Sequence, residues 1–239
     1  MIGPFINSAS IMSGAVFGSL FSQYIPEGIK KRMPTVFGIA SMCIGIIMIQ
    51  KVSLLPAMML ALIFGAIIGE LLNIDGGLKK LGIVLKTYLE KVVPAKRNDD
   101  ENDEYMNTFV SIMILFSFSG TGVFGAMNEG LSGDTTLLVV KSFLDFFTAI
   151  IFAMSLGIPV AVLALPQLAV QAILFFSASL IMPYTDPSMM GDFSAVGGIV
   201  VMVTGMRLLS IIEYPVANLL PGLFLAMPIS ALWSTLVLA

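Results

Sequence analysis

The chain has 239 residues, of which 57% are hydrophobic and only 11% charged, and its mean hydropathy is +0.98. This composition cannot supply the polar surface of a soluble domain, so lipid must surround most of the chain. The net charge of −3 comes without a basic stripe that could neutralise phosphates, so we expect no nucleic-acid partner.

The chain contains no His and a single Cys, Cys43. These counts exclude disulfide frameworks, Cys/His zinc sites and Ser-His-Asp or Cys-His triads within one chain. A catalytic pair would have to come from Asp145, Glu70 or Glu213, whose spacing resembles no known dyad. We therefore expect no enzymatic activity, no cofactor and no metal. The first residues carry no cationic segment, and we expect no removable signal peptide.

Eight apolar segments are suited to crossing a hydrocarbon core of about 30 Å, which takes roughly 17 to 25 helical residues. They span residues 4–21, 34–49, 54–72, 105–127, 135–155, 159–182, 193–209 and 214–238. The second is marginal in length and the last two nearly touch, so seven spans is the alternative count. Backbone groups in lipid must pair within their own segment, and the alternation of a membrane β-barrel is absent. The predicted fold is an all-α polytopic transmembrane bundle.

Basic residues predict the orientation of this bundle. They concentrate in the connections after the first and third spans and at the end of the seventh: Lys30, Lys31, Arg32, Lys79, Lys80, Lys86, Lys91, Lys96, Arg97 and Arg207. The positive-inside rule places these connections in the cytoplasm, with Lys51 and Lys141 as exceptions. The sequence therefore predicts a multi-pass protein of the cytoplasmic membrane, with its N-terminus outside and connection 73–105 inside.

The third connection divides into two parts. In residues 76–93, apolar side chains share one face of a helix and lysines lie elsewhere, which favours a helix lying in the headgroup region. The apolar face consists of Leu78, Leu81, Leu85, Tyr88, Leu89 and Val92. The charged stretch 94–104 has no apolar surface to bury, so we expect a flexible tether rather than a cation site.

An ungapped shift of 160 residues aligns segment 19–66 with segment 179–226. Identical pairs are Ser19/Ser179, Leu20/Leu180, Tyr24/Tyr184, Val36/Val196, Gly38/Gly198, Ile39/Ile199, Met42/Met202, Gly45/Gly205, Ala57/Ala217, Leu60/Leu220, Phe64/Phe224 and Ala66/Ala226. The match equates spans one to three with spans six to eight. Five spans separate the two starts, and an odd number reverses direction, so an inverted repeat is predicted. The alternative is chance similarity between apolar helices.

The repeat divides the chain into four parts. They are a first three-helix unit (1–75), the amphipathic helix with its linker (76–104), a central helix hairpin (105–157) and a second three-helix unit (158–239).

Lys141 and Asp145 are charged residues within the fifth span. A spacing of four residues places them one turn apart on the same helical face, where they can neutralise each other. Charged groups at membrane depth are costly and usually face a cavity or a partner. The sequence leaves two interpretations open, a structural ion pair and a pair that gates or contacts a substrate.

The fourth span ends in a segment rich in small and hydroxyl residues, comprising Ser117, Ser119, Gly120, Thr121, Gly122, Gly125 and Gly130. The glycines allow close helix packing, and they also weaken the helix enough to unwind and present its backbone dipoles to a solute. Packing alone and a role in lining a path are both open.

Three amides lie within apolar spans. Asn7 enters the first span, and Gln167, its equivalent at the shift of 160, enters the sixth with Gln171 one turn later. Two amides at equivalent depths would face each other across a pseudo-twofold axis, as a binding pair or as a bridge between helices. In the eighth span, Asn218 precedes Pro221, which removes a backbone donor and predicts a kink.

Other polar residues lie at span ends. Glu70, Asn73 and Asp75 close the third span, and Glu213 begins the eighth next to Arg207. We interpret these as interface anchors or helix-end partners, and the single Trp233 as a boundary residue.

Several motifs together resemble one family. They are INSASIMSGAVFG, GAIIGELLNIDGGLKKLG, GAMNEGLSGDTTLLVVKSFLDFF (which contains Asn128), FSAVGGIVVMVTGMRLL and VANLLPGLFLA. The chain resembles the family of integral membrane proteins known as domain of unknown function 554, from the first span to the last. This resemblance implies an inner-membrane protein without an assigned activity, so it brings candidate sites but no substrate.

The leading functional hypothesis is a transporter or channel for an ion or a small polar solute. The predicted path is lined by Asn7, Ser117, Ser119, Gly120, Thr121, Gly122, Asn128, Lys141, Asp145, Gln167, Gln171 and Asn218. The alternative is a non-transporting membrane scaffold or assembly protein, suggested by the many small residues and the amphipathic helix. A homo-oligomer is a further expectation, because eight short helices leave little room for a pore within one chain.

Overall fold

The computed structural model describes residues 1–21, 24, 26–89 and 99–237, and this part of the chain is helical and contains no β-strand. The helices are α1 (Gly3–Phe21), α2 (Glu27–Ile49), α3 (Leu55–Leu71), α4 (Ile74–Leu89), α5 (Asp99–Phe118), α6 (Gly120–Ser132), α7 (Thr136–Leu156), α8 (Ala164–Ile181), α9 (Pro187–Leu208) and α10 (Leu220–Val237). Short 3₁₀ turns at Ile158–Leu163 and Val216–Leu219 lead into α8 and α10, and a third at Met182–Tyr184 follows α8.

The described residues include seven helices long and apolar enough to cross a membrane, or eight if α3 and α4 form one bent span. The predicted all-α polytopic fold and its count of seven or eight are thus confirmed. The marginal span differs from the predicted one. The helix α2 begins at Glu27, ahead of Pro34, and contributes a full span from Arg32 to Ile49. The short helix is α3, which has 17 residues and meets α4 at a bend of 49°.

Helix starts extend further into polar sequence than predicted. The helix α5 begins at Asp99 rather than Tyr105, and α9 at Pro187 rather than Phe193. The prediction counted apolar residues only, whereas a helix satisfies its own backbone groups and can continue beyond the hydrocarbon. The second half of the expected tether is therefore helical, and the rest of it, up to residue 98, lies outside the described residues.

Large apolar side chains cover the outside of the bundle. Leu180 is 77% exposed, and Ile173 and Leu165 are each 66% exposed. In water such a surface would drive aggregation, whereas in a bilayer it is the lipid-facing side of each helix.

The helices pack in four main pairs: α1 with α7, α2 with α9, α3 with α10, and α6 with α8. The contact between α2 and α9 depends on glycines at two levels. A Cβ atom on Gly45 would lie 2.6 Å from the Gly198 carbonyl oxygen, and one on Gly205 would lie 2.6 Å from the Gly38 carbonyl oxygen. Only residues without a Cβ allow the two backbones to approach this closely.

The eighth span begins as a 3₁₀ turn and becomes α-helical at Leu220. Pro221 is the second residue of α10, where its missing N–H is one that the helix would leave unpaired anyway. The sequence predicts a kink at Pro221, and the structure has a change from a 3₁₀ turn to an α-helix just before this residue.

Candidate functional site

The charged pair of α7 lies inside the bundle. The side chains of Lys141 and Asp145 form an ion pair across one helical turn, and the two residues are only 3% and 7% exposed. Removing two charges from water is costly, so a buried pair persists only where further polar groups stabilise it.

Asn7 of α1 supplies one of those groups. Its Nδ2 donates to Asp145 Oδ2 at 2.7 Å, while its Oδ1 accepts hydrogen bonds from Gln167 Nε2 at 2.7 Å and Gln171 Nε2 at 2.9 Å. Ser8 Oγ donates to Gln167 Oε1 at 2.6 Å. An ionised carboxylate can only accept, so Asp145 fixes the orientation of Asn7, and Asn7 in turn fixes both glutamines. We call Asn7, Lys141, Asp145, Gln167 and Gln171 the central network.

The central network retains unused hydrogen-bonding capacity. Within the described part of the chain, both hydrogen bonds to Asp145 fall on Oδ2, and Lys141 Nζ makes one of the three that an ammonium can donate. Gln171 Oε1 and Ser117 Oγ are buried without a partner among the same residues. Buried polar atoms are normally paired, so each unpaired one calls for a specific reason, such as a ligand or water.

Glycine lets α6 approach this network. A Cβ atom on Gly122 would lie 2.8 Å from Lys141 Cε and 3.3 Å from Gln171 Nε2. The helix is interrupted at Ser119, between α5 and α6. The Ser119 side chain caps α6 by accepting from the Gly122 N–H at 3.2 Å. The glycine segment therefore interrupts the span for one residue and brings the start of α6 against the charged pair.

An inner cavity of about 230 Å³ adjoins the pair, and both Lys141 and Asp145 line it. Five hydroxyl residues contribute to its surface: Ser41, Ser119, Thr121, Thr148 and Thr204. The rest of the wall is aliphatic and aromatic, formed by Pro34, Phe37, Leu115, Phe116, Leu144, Ile151, Phe152 and Leu208. The cavity thus combines one charged pair with a largely apolar wall, which is the usual character of a small-molecule site.

Two further cavities lie near the inner one and share lining residues in turn. A middle cavity of about 460 Å³ shares Leu115, Ser119, Thr204 and Leu208 with it. The middle cavity in turn shares Asp75, Lys79 and Arg207 with a vestibule of about 480 Å³, whose lining also includes Ser210, Ile212, Glu213, Tyr214 and Pro215. Arg207, Ser210 and Glu213 are exposed. The three cavities are therefore neighbours through shared lining residues, and the vestibule includes exposed residues.

Two buried carboxylates tie helix starts to neighbouring helices at other positions. Glu129 of α6 accepts from the Ile2 N–H at 2.7 Å and the Gly3 N–H at 3.1 Å, at the start of α1. Asp192 of α9 accepts from the Ser53 and Leu54 N–H groups at 2.9 and 2.7 Å, ahead of α3. N–H groups at or just before a helix start have no acceptor within the helix, and these carboxylates accept from them.

Some predicted site residues lie apart from the central network. Asn128 donates to the Asp134 carbonyl at 3.4 Å, and Asn218 accepts from the Asp75 N–H at 2.9 Å. Both amides therefore bond to backbone near helix ends. Ser119 and Thr121 line the inner cavity, and Gly120 lines the middle one.

The sequence analysis did not identify Ser41, Thr148, Thr204, Glu129 or Asp192 as site residues. Hydroxyl residues are common in apolar helices and bond readily to their own backbone, as Thr148 does to the Leu144 carbonyl at 2.7 Å. They therefore give no distinctive pattern. Glu129 and Asp192 could have been found as acidic residues within or beside apolar spans.

Of the residues interpreted as interface anchors, Asp75 and Glu213 line the vestibule. Asp75 and Lys79 form an ion pair of 2.7 Å, and Arg207 and Glu213 both line the vestibule. Asn73 has a φ of 47° at the junction between α3 and α4. Trp233 is partly buried near the end of α10. No group of three or more His, Cys, Asp or Glu residues in the described ranges could hold a metal ion.

Comparison with known proteins places the chain among membrane proteins. It is 48% identical over 234 residues to the Escherichia coli (strain K12) protein named uncharacterized protein YqgA, with 98% of each chain covered. It is 24% identical over 229 residues to the uncharacterized membrane protein YdfK of Bacillus subtilis (strain 168), covering 94% of this chain and 93% of that protein. No solved structure matches it. The model of the family described as protein of unknown function (DUF554) matches residues 2–231, so this chain is a member of the DUF554 family.

Proposed function

We propose that this protein is a transporter that moves an ion or small polar solute across the cytoplasmic membrane. One observation carries the proposal: the buried Lys141/Asp145 pair lines a cavity that shares wall residues with the middle cavity, which in turn shares wall residues with the vestibule. A pair that served only to join helices would need no cavity beside it. Ionisable groups at membrane depth are typical of substrate and ion pathways.

The cavity series leads to one end of the bundle. Its vestibule contains Lys79 and Arg207, which belong to the basic connections expected in the cytoplasm by the positive-inside rule. In the proposed orientation the site is accessible from the cytoplasm.

Polar groups close the other side of the charged pair. Gln167 and Gln171 donate to Asn7, and Asn7 donates to Asp145. The start of α1 is held by Glu129. A site accessible from one side and closed on the other favours alternating access over a continuously open channel.

An inverted repeat would provide the second state, and the helix contacts support it. Under the shift of 160, Gly38 corresponds to Gly198 and Gly45 to Gly205, so the contact of Gly38 with Gly205 and the contact of Gly45 with Gly198 are equivalent. A twofold relation between the units generates such reciprocal contacts. The proposed motion is a rocking of the two three-helix units about the central hairpin, as in other inverted-repeat transporters.

Flux through purified protein in liposomes tests this function. We expect entry of at least one solute from a panel of ions and amino acids, above the rate in empty vesicles. Lys141→Met and Asp145→Asn should abolish that flux, whereas Ser13→Ala, on the exposed face of α1, should retain it. Absence of flux for the whole panel would contradict the proposal. Cross-linking that recovers one stoichiometric partner would then favour the scaffold alternative.

A further inference from the structure

We infer that the inner cavity binds an apolar α-amino acid as its zwitterion. This inference deepens the proposed function, on which it rests, by assigning the class of solute. It is carried by three properties of the cavity: the charges at its end, the unused hydrogen-bonding capacity of those charges, and the composition of its wall.

The charged end is electrically neutral as a pair. Lys141 and Asp145 neutralise each other. Within the described part of the chain, they are the charged residues of the cavity wall. A solute with net charge would therefore leave an uncompensated charge in a medium of low dielectric, which is strongly unfavourable. A zwitterion adds no net charge, so the neutral pair favours it over a simple anion or cation.

Each charge of the pair has capacity for a second partner. Asp145 accepts both of its hydrogen bonds on Oδ2, which leaves Oδ1 for an ammonium group. Lys141 Nζ uses one donor on Asp145 and has two left for a carboxylate. The two groups of an α-amino acid are separated by a single carbon, so they can engage two charges that are themselves in contact.

The wall determines the rest of the solute. Phe37, Leu144, Ile151 and Phe152 give the cavity an apolar surface, and its volume of about 230 Å³ is below the roughly 300–1,000 Å³ of most ligand sites. A small aliphatic side chain therefore matches it, whereas a second charged group would be desolvated without a partner.

Binding to the detergent-solubilised full-length protein tests this inference independently of transport. The probes are leucine, 4-methylpentanoate (leucine without its ammonium group), 3-methylbutylamine (leucine without its carboxylate) and aspartate. We expect leucine to raise the thermal unfolding midpoint in a saturable manner, with an apparent affinity at least about tenfold higher than that of any other probe. The acid and the amine each lose one charge contact, and aspartate brings a second carboxylate without a partner.

A matched pair of variants locates the site. Ser41→Leu should fill the inner cavity and weaken leucine binding by about tenfold or more, whereas Ser13→Leu makes the same change on an exposed face of α1 and should leave it unchanged. Circular dichroism and size-exclusion chromatography establish that both variants are folded. The comparison of the four probes needs only the unmodified protein.

The outcomes separate this inference from the proposed function. If 4-methylpentanoate or 3-methylbutylamine binds as tightly as leucine, or if Ser13→Leu and Ser41→Leu have equal effects, the inference is wrong. If no probe binds but another solute crosses proteoliposomes, the inference fails and the transporter proposal stands. If leucine binds as expected without any flux, the inference stands and the transporter proposal fails.

Discussion

Asn7 and Gln167 lie 160 positions apart in the chain and are joined by a 2.7 Å hydrogen bond in which Gln167 Nε2 donates to Asn7 Oδ1. The same shift of 160 residues that aligns segments 19–66 and 179–226 relates these two positions, which lie ahead of those segments. A residue and its own equivalent can meet only near the axis that relates two units, so this bond supports the proposed twofold arrangement.

Asn7→Ala should lower the free energy of unfolding by about 1–3 kcal/mol. The substitution leaves the Nε2 groups of Gln167 and Gln171 without their acceptor, and it removes a donor to Asp145. Unfolding in mixed micelles with increasing SDS measures the change. Ser13→Ala in the same helix removes only a bond to the Ala9 carbonyl and should change the value by less than about 0.5 kcal/mol. Equal effects of the two variants would argue against an organising role for Asn7.

Lys141→Met and Asp145→Asn should each cost about 3–5 kcal/mol, because each leaves an unpaired buried charge. The double variant should recover most of this loss, since it removes both charges. A double-mutant cycle in the same micelles measures the coupling. The pair of Asp75 and Lys79 is also one helical turn apart, and its Lys79 side chain is 69% exposed. It is the matched control and should show a coupling of about 0–1 kcal/mol. Additive losses at Lys141 and Asp145 would contradict the buried ion pair.

Gly45→Ala should destabilise the contact between α2 and α9. Its Cβ would lie 2.6 Å from the Gly198 carbonyl oxygen, so the helices must separate, at a cost of about 1–3 kcal/mol. Gly28→Ala, also in α2, is the control, because nothing lies within 4 Å of its added Cβ. Alanine favours a helix over glycine, so Gly28→Ala should be neutral or slightly stabilising. Thermal unfolding midpoints of both variants measure the two effects. If Gly28→Ala lowered the midpoint as much as Gly45→Ala, the glycine contact would not explain the loss.

Asp134, in the connection between α6 and α7, should contribute a small pH-dependent stability. Hydrogen bonds from the Thr136 side chain and backbone lower its pKa below the usual 3.8, against an opposing effect of burial, and Lys51 lowers it further. A lowered pKa stabilises the folded state above the unfolded value, and this contribution is lost as the pH falls through the folded value.

Because Asp134 is exposed, Asp134→Ala should cost less than about 1 kcal/mol at pH 7. The difference from the unmodified protein should shrink as the pH falls below 3.8. Thermal unfolding midpoints between pH 7 and pH 3 would measure this difference. A difference that grew on acidification would contradict a lowered pKa of Asp134.

The sequence predicts the helices well because lipid imposes both their length and their apolar character. It also predicts the contact of Lys141 with Asp145, since a spacing of four residues determines which side chains meet on a helix. The pairing of α2 with α9 is harder to predict. In lipid the outer and inner faces are equally apolar, so periodicity does not reveal which face packs.

The walls of the inner cavity illustrate this limit. Ser41 and Thr204 come from α2 and α9. They line the same cavity as the charged pair of α7 only because tertiary packing brings these helices together. Neither residue has a local pattern that separates it from other hydroxyl residues in apolar helices. By contrast, Asn7 and Gln167 were identifiable because the repeat linked two distant positions before any contact was known.

The direction of hydrogen bonding in the central network has a consequence for proton leakage. Donors run from Gln167 to Asn7 and from Asn7 to Asp145, and every donor on this route is an amide N–H. Amides neither release nor accept protons at ordinary pH, unlike the hydroxyl, imidazole or water chains that relay them. The route from Asp145 through Asn7 to Gln167 therefore contains no group that relays protons, and in the proposed transporter it would block proton leakage past the charged pair.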